Sequence, residues 1–229
     1  MKKALFIVLL GVCMMKASAQ GTSQDSGVRF GLSLSPQISW LSSVDKGLEG
    51  NGSYLGFSYG LLMDILIPTN YAFATGLLIS YEGGKLTYTD STKFNTYPDN
   101  TYPAGTNVDY RLQYIEIPLS MKLRTNQIGY LTYFGQFGLQ GGIAIRSRAD
   151  LDAYNAALDE EKVDFGKDVT PGNLGLLLGG GIEYEISGKT ALLAGIQFHN
   201  GFIDVTDNPK DYKTVSSLTH FRLQLGIYF

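Results

Sequence analysis

The chain ends on Leu218-Thr219-His220-Phe221-Arg222-Leu223-Gln224-Leu225-Gly226-Ile227-Tyr228-Phe229. Successive side chains of an extended strand point to opposite faces. Phe221, Leu223, Leu225, Ile227 and Phe229 therefore share one face, and His220, Arg222, Gln224, Gly226 and Tyr228 share the other. A soluble strand can alternate in the same way, so the choice of surroundings rests on the rest of the chain. The terminal aromatic residue and a secretion signal at the other end together predict a barrel wall, with lipid outside and a polar lumen inside.

That signal opens with Lys2 and Lys3, continues through the apolar run Ala4 to Met15 and closes on Ala17-Ser18-Ala19, the small-x-small pattern that precedes cleavage. The run is shorter than the ~20 residues a helix needs to span a bilayer. Cleavage after Ala19 divides the chain into a signal peptide (1–19), a short lead (20–27) and a barrel domain (28–229). Lipoprotein processing at Cys13 is a poor fit, because Val12 stands where a small residue is needed. Cys13 is the only cysteine. The mature chain then has no disulfide, no thiolate nucleophile and no zinc thiolate.

Loss of Lys2, Lys3 and Lys16 takes 18 basic residues to 15 against 21 acidic ones, so the net charge moves from −3 to −6. An acidic chain of this kind argues against nucleic acid as a partner. No later stretch is apolar for the ~18 residues of a membrane helix, whereas 28 Gly, 15 Tyr and 12 Phe suit a closed sheet with aromatic girdles.

Seven further stretches read as strands: Val28 to Trp40, Tyr54 to Ile67, Tyr71 to Glu82, Val108 to Arg124, Ile128 to Arg146, Asn173 to Ile186 and Thr190 to Phe202. Pro68-Thr69-Asn70, Thr125-Asn126-Gln127 and Ser187-Gly188-Lys189 form tight turns between them. The other connections are long, beginning with a polar loop from Ser42 to Gly52. Alternating long and short connections predict an all-β fold, an up-and-down antiparallel transmembrane barrel of about eight strands with both termini periplasmic. From Ser147 to Gly172 the alternation breaks, and Leu151, Tyr154 and Leu158 at helical spacing predict a short surface helix. The acids around it, Asp150, Asp152, Asp159, Glu160 and Glu161, read as a solvated face, with weak divalent-cation bridging to lipopolysaccharide as the alternative.

The fourth strand changes phase. Tyr110 and Leu112 share one parity, while Ile115, Ile117, Leu119, Met121 and Leu123 share the other, which predicts a bulge near Tyr114. Pro118 has no N–H and is expected at a missing ladder bond. Within this strand Tyr114-Ile115-Glu116-Ile117-Pro118-Leu119, followed by Lys122, resembles the Tyr-Leu-Glu-Ile-Pro-x-x-x-Lys signature of the PorT-like outer-membrane barrels of the Bacteroidetes. The motif residues are Tyr114, Glu116, Pro118 and Lys122, and the strand-and-glycine pattern extends the resemblance over essentially the whole mature chain. It implies an integral outer-membrane location. The family includes PorT, a component of type IX secretion, beside barrels of unknown role, so secretion or envelope proteins are expected as partners alongside outer-membrane lipid and lipopolysaccharide.

Parity places a charge network in the lumen: Arg29, Asp64, Glu82, Glu116, Lys122, Arg146, Glu183, Glu185 and Arg222, with Gln136 and Gln197. An eight-stranded barrel is just wide enough for side chains to fill, so these groups are expected to pair and plug it. His199 and His220, the only histidines, fall at inward parity near the long-loop ends of the last two strands and form a candidate rim pair. Two histidines without a third ligand do not define a metal site, and no serine stands in a nucleophile setting. Gly179-Gly180-Gly181 lies inside a strand and opens no helix, so it is not a phosphate loop. No catalytic, cofactor or metal residue is expected. The sequence reads as a non-enzymatic barrel that acts through its loops or rim as a scaffold or accessory subunit of an envelope assembly. A small-solute porin and a lipid-modifying hydrolase are the alternatives.

Overall fold

A computed structural model of the chain describes residues 27–43, 45–67, 70–153, 158–188, 190–209 and 214–229. The expected signal segment 1–19, nearly all of the lead 20–27, and Pro68, Thr69, Tyr154 and Lys189 lie outside them. The strands are β1 (Gly27–Ser43), β2 (Leu48–Ile67), β3 (Tyr71–Tyr88), β4 (Thr92–Phe94), β5 (Tyr97–Tyr102), β6 (Thr106–Arg124), β7 (Leu131–Asp152), β8 (Glu160–Asp164), β9 (Gly172–Ser187), β10 (Thr190–Gly201) and β11 (Ser216–Tyr228). Eight of them close a barrel in the order β1-β2-β3-β6-β7-β9-β10-β11, while β4 and β5 form a separate hairpin and β8 pairs only with β7.

The C-terminal strand is the closing seam. β11 runs antiparallel to β1 from Gly31↔Tyr228 to Ser43↔Ser216, and the Phe229 N–H donates to the Phe30 carbonyl at 2.9 Å. Closure removes the unpaired edges that lipid cannot solvate. Outward-facing Leu34, Leu55, Ile143 and Ile196 are 61 to 80 % exposed. A continuous belt of such residues is far larger than the apolar patches a soluble monomer shows. Aromatic rings edge the belt at the long-loop end, where Trp40 and Phe198 pack on Phe221 at 5.7 and 4.9 Å and Phe57 stacks on Tyr81 at 4.8 Å. Tyr130 and Tyr184, 5.9 Å apart, do the same at the short-turn end.

In the turns Asn70, Gly129 and Gly188 have φ of 74°, 65° and 58°, the left-handed region that Asn and Gly enter at least cost. The second turn is longer than expected: Ile128 is not strand but bridges Leu131, and β7 starts there. The glycine run of β9 makes room for a lumen ring, since a Cβ on Gly181 would lie 2.9 Å from Phe134 Cζ and 2.2 Å from the Ala194 carbonyl.

Two expectations are corrected, and a third lies partly outside the described residues. The segment Ser42 to Gly52 is mostly strand, because the wall continues beyond the belt and turns Leu41 and Leu48 into the barrel, each 1 % exposed. The expected surface helix centres on residues 154–157, which lie outside the described residues; before them β7 runs on to Asp152, so Leu151 is strand and buried in the barrel, and β8 folds back with Arg148↔Asp164 and Leu151↔Glu160. Finally, β6 has no bulge, and its inward face keeps even parity from Thr106 to Lys122. The extra residue opposite Gln113 and Tyr114 is Ile145 of β7, since Gln113 pairs with Arg146 and Tyr114 with Ala144. What changes along β6 is the chemistry of the interior, from apolar at Tyr110, Leu112 and Tyr114 to polar at Glu116. Pro118 does meet a gap in the ladder, where the β3 register skips Gly76 and Leu77.

Candidate functional site: a filled lumen beneath an apolar cap

Side chains of alternate parity from eight strands converge inside the barrel and stack in layers. Nearest the short turns, Lys122 Nζ lies 2.8 Å from Asp64 Oδ2, 3.2 Å from Glu183 Oε1 and 3.1 Å from the Tyr228 hydroxyl. Arg29 bridges the same two carboxylates at 2.7 and 2.6 Å, and Arg124 reaches Glu183 at 3.1 Å. Three cations thus face two carboxylates. Arg29 also lies 4.1 Å over the Tyr228 ring, and Lys122 lies 4.7 Å over Phe134. Leu62, Leu78, Phe134, Leu193 and Tyr228 form a small apolar cluster along the wall above them.

The next polar layer centres on Arg222, which is fully buried. It donates through Nε to Gln37 Oε1 at 2.7 Å and through Nη2 to Ser80 Oγ at 2.9 Å and Glu116 Oε2 at 2.7 Å, with Glu82 Oε1 at 3.5 Å. Gln140 donates to Glu116 at 2.6 Å and Gln37 to Glu82 at 3.1 Å. One arginine here faces two carboxylates, the reverse of the lower layer. His199 and His220 stack at 4.7 Å beside them. They are 1 % and 0 % exposed, so they are not a rim pair but lie sealed inside, carried inward by strands longer than the belt. Among the described residues both nitrogens of His220, His199 Nδ1 and Glu82 Oε2 make no hydrogen bond, although His220 Nδ1 is 3.1 Å from Glu82 Oε1. Glu82, Glu116 and His220 bring possible ligand atoms within 4.8 Å of one another. The Arg222 guanidinium already holds Glu116 there, and its positive charge opposes a dication.

Above the histidines the interior becomes apolar. Leu41, Leu48, Leu86, Tyr110, Tyr114 and Leu151 project from the wall and meet Phe94, Tyr102, Phe165 and Val205 from the long loops. Phe94 packs on Tyr88, Tyr102 and Phe165 at 5.3, 5.0 and 5.1 Å. The Asp168 carboxylate staples two loops by accepting from the Asn95 and Thr96 N–H groups and the Thr96 hydroxyl. Burial raises the carboxyl pKa, and the Thr96 and Asn95 donors oppose the shift. Tyr88 shares a 2.9 Å hydrogen bond with Tyr110 and accepts one from Asn208. Burial pushes the Tyr88 phenol up to about 12 and raises Tyr110 as well.

Of the expected lumen charges, Arg29, Asp64, Lys122 and Glu183 meet in one layer and Glu82, Glu116 and Arg222 in the other, with Gln136 and Gln197 also buried. Glu185 is only half-buried, at the short-turn mouth beside Arg29 and Arg124. Arg146 does not face the lumen: the extra residue Ile145 reverses the phase of β7 and puts Arg146 outside, exposed. Tyr114, Glu116, Pro118 and Lys122 all lie on the inward face of β6, so the motif runs down the inner wall from the cap through both polar layers. Parity reading missed the cap. Its available signal was the aromatic content of segments treated as loop, with Tyr88, Phe94, Tyr97, Tyr102 and Phe165 too apolar for solvated connections.

The chain is 15 % identical to the solved Neisserial surface protein A, with 88 % of this chain and 97 % of that one covered at a TM-score of 0.47. It is similar also to Ail, the attachment invasion locus protein of Yersinia pestis (13 %, 90 % and 100 %, 0.38), and to the outer membrane protease OmpT of Escherichia coli (10 %, 93 % and 99 %, 0.45). No curated protein matches it. The sequence pattern of the outer membrane protein beta-barrel domain family matches residues 18–207. With a closed eight-stranded wall, a lipid-facing apolar belt and a match over most of its length, the chain belongs to that outer-membrane beta-barrel family and is an integral outer-membrane protein.

Proposed function

We propose that this barrel neither conducts solutes nor catalyses a reaction, and works through its long-loop end as a scaffold or accessory component of an envelope assembly. The observation that carries this reading is the filling of the interior: two ion-paired layers and an apolar cap lie in series, and Arg222, Lys122 and Glu82 are at most 1 % exposed. A porin needs a continuous aqueous path, and a hydrolase needs a reachable base with a nucleophile beside it. The stacked histidines are sealed under the cap, and among the described residues no hydroxyl hydrogen-bonds to them. The stapled cap instead makes a packed surface from the described parts of the long connections. Both termini then face the periplasm and the cap faces outward. The resemblance of the β6 motif to PorT-like barrels names type IX secretion as the assembly to look for first.

The test has two arms. Purified barrel in planar bilayers is expected to show no single-channel steps, and in-cell crosslinking followed by mass spectrometry is expected to recover stoichiometric envelope partners. Regular conductance steps would return the reading to a porin. Recovery of the barrel alone would remove the scaffold.

A further inference from the structure

The phase reversal in β7 builds a second feature on the outer wall. The lipid-facing run of β7 ends at Ile143 and Ile145, and that of β6 ends at Ile117 and Ile115. The next outward side chains are all polar or basic: Gln113 and Arg111 on β6, Arg146 and Arg148 on β7. Gln113 donates to the Tyr81 hydroxyl at 3.1 Å, so this position adjoins the aromatic girdle that marks the membrane interface. Arg148 lies about 7 Å further along the strand, at ~3.3 Å per residue. β8 folds back opposite and brings Lys162 to the same cleft, of about 420 Å³, whose floor includes Ile145 and Pro171.

The charges in this cleft are unspent. Arg111 is paired with Asp150, whereas Arg146, Arg148 and Lys162 have no ion pair among the described residues. Asp164, the one acid lining the cleft, accepts the Gly166 N–H at 3.1 Å. In a chain with more acids than bases, three free cations at the edge of the apolar belt point to an anion presented by the membrane itself. Arginine forks suit phosphate oxygens, and cations spread over a strand step suit a headgroup with more than one phosphate.

We propose that Arg146, Arg148 and Lys162 bind the phosphates of lipid A, with Ile145 and Ile143 against its acyl chains. Lipopolysaccharide contact then comes through this basic cleft and not through cation bridges on the acidic loop residues. The assignment to lipid A rests on the orientation proposed above.

Labelled lipid A titrated into the folded barrel in non-ionic detergent tests it. Arg146→Ala with Arg148→Ala is expected to weaken binding by on the order of tenfold or more, and Arg146→Lys with Arg148→Lys to retain most of it. Lys46→Ala, far out on the first long connection, is expected to leave it unchanged. Dephosphorylated lipid A should bind wild type as weakly as lipid A binds the alanine variant. Undiminished binding by the alanine variant, or equal binding of the dephosphorylated lipid, would overturn the inference. Competition by millimolar inorganic phosphate would make this a soluble-anion site and overturn the lipid assignment. Orientation is read separately from Asp99→Cys in intact cells. Labelling only after the outer membrane is breached would refute the orientation and with it lipid A, whatever the binding curves; labelling without lipid A binding would sink this inference alone.

Discussion

Replacing Arg222 with methionine keeps most of its volume and removes the cation of the upper layer. Glu82 and Glu116 would then lie buried without their guanidinium, Glu116 keeping Ser80 and Gln140 as donors and Glu82 keeping Gln37. Removing one partner of a buried pair costs about 3–5 kcal/mol, because the remaining charge has lost its compensation. Arg222 meets two carboxylates, so the upper end, about 5 kcal/mol, is expected. Further conversion of Glu82 and Glu116 to glutamine leaves a neutral layer and should recover at least half of the loss. Urea unfolding from lipid vesicles, followed by the fluorescence of Trp40, measures both variants; Trp40 is the only tryptophan and sits at the edge of the belt. Arg148→Met on the outer wall serves as a control, expected to fall within about 0.5 kcal/mol of wild type. If Arg222→Met cost less than about 1 kcal/mol, or the triple variant were worse than the single one, the ion-paired plug would not be what fills the lumen.

Leu223→Arg puts a charge on the lipid face and should cost ~2–4 kcal/mol near the midplane, whereas Leu223→Ile should cost little; vesicle unfolding and the heat-modifiable gel shift read both. Gly181→Val should slow or block assembly on the same gels, because the new side chain would collide with the Ala194 carbonyl and the Phe134 ring. The cap should loosen in alkali: an unfolded tyrosine ionises near ~10, while burial holds folded Tyr88 neutral up to about 12. Between these values the unfolded state has lost the proton that the folded state keeps, so stability falls as pH rises and is unaffected below the lower one. Hydrogen exchange of the loop amides from pH 9 to 12 should show that slope, and Tyr88→Phe should reduce it, leaving the part that buried Tyr110 contributes.

Much of the wall was legible because a membrane barrel imposes a two-residue period on every strand, and the outer face must be apolar wherever lipid touches it. Leu223, Leu225 and Ile227 could be assigned without knowing their neighbours, and Arg222 and Lys122 could be placed inside on the same grounds. Parity fails where the surroundings change. Above the belt the outside is wet and the inside is dry, so Leu41, Leu48 and Leu151 face inward, and the rule that apolar means outward reverses. The supposed bulge at Tyr114 was that reversal read from one strand.

The sequence by itself determined the closed antiparallel wall, its lipid belt, the places of its turns and most of the charges of its lumen, because each follows from local alternation and turn chemistry. Only the tertiary structure decided which charges meet, that His199 and His220 are sealed under a cap and not at a rim, and that Arg146 points outward. Those facts depend on register between strands far apart in the chain, where a single extra residue, Ile145, turns the next side chain to the opposite face.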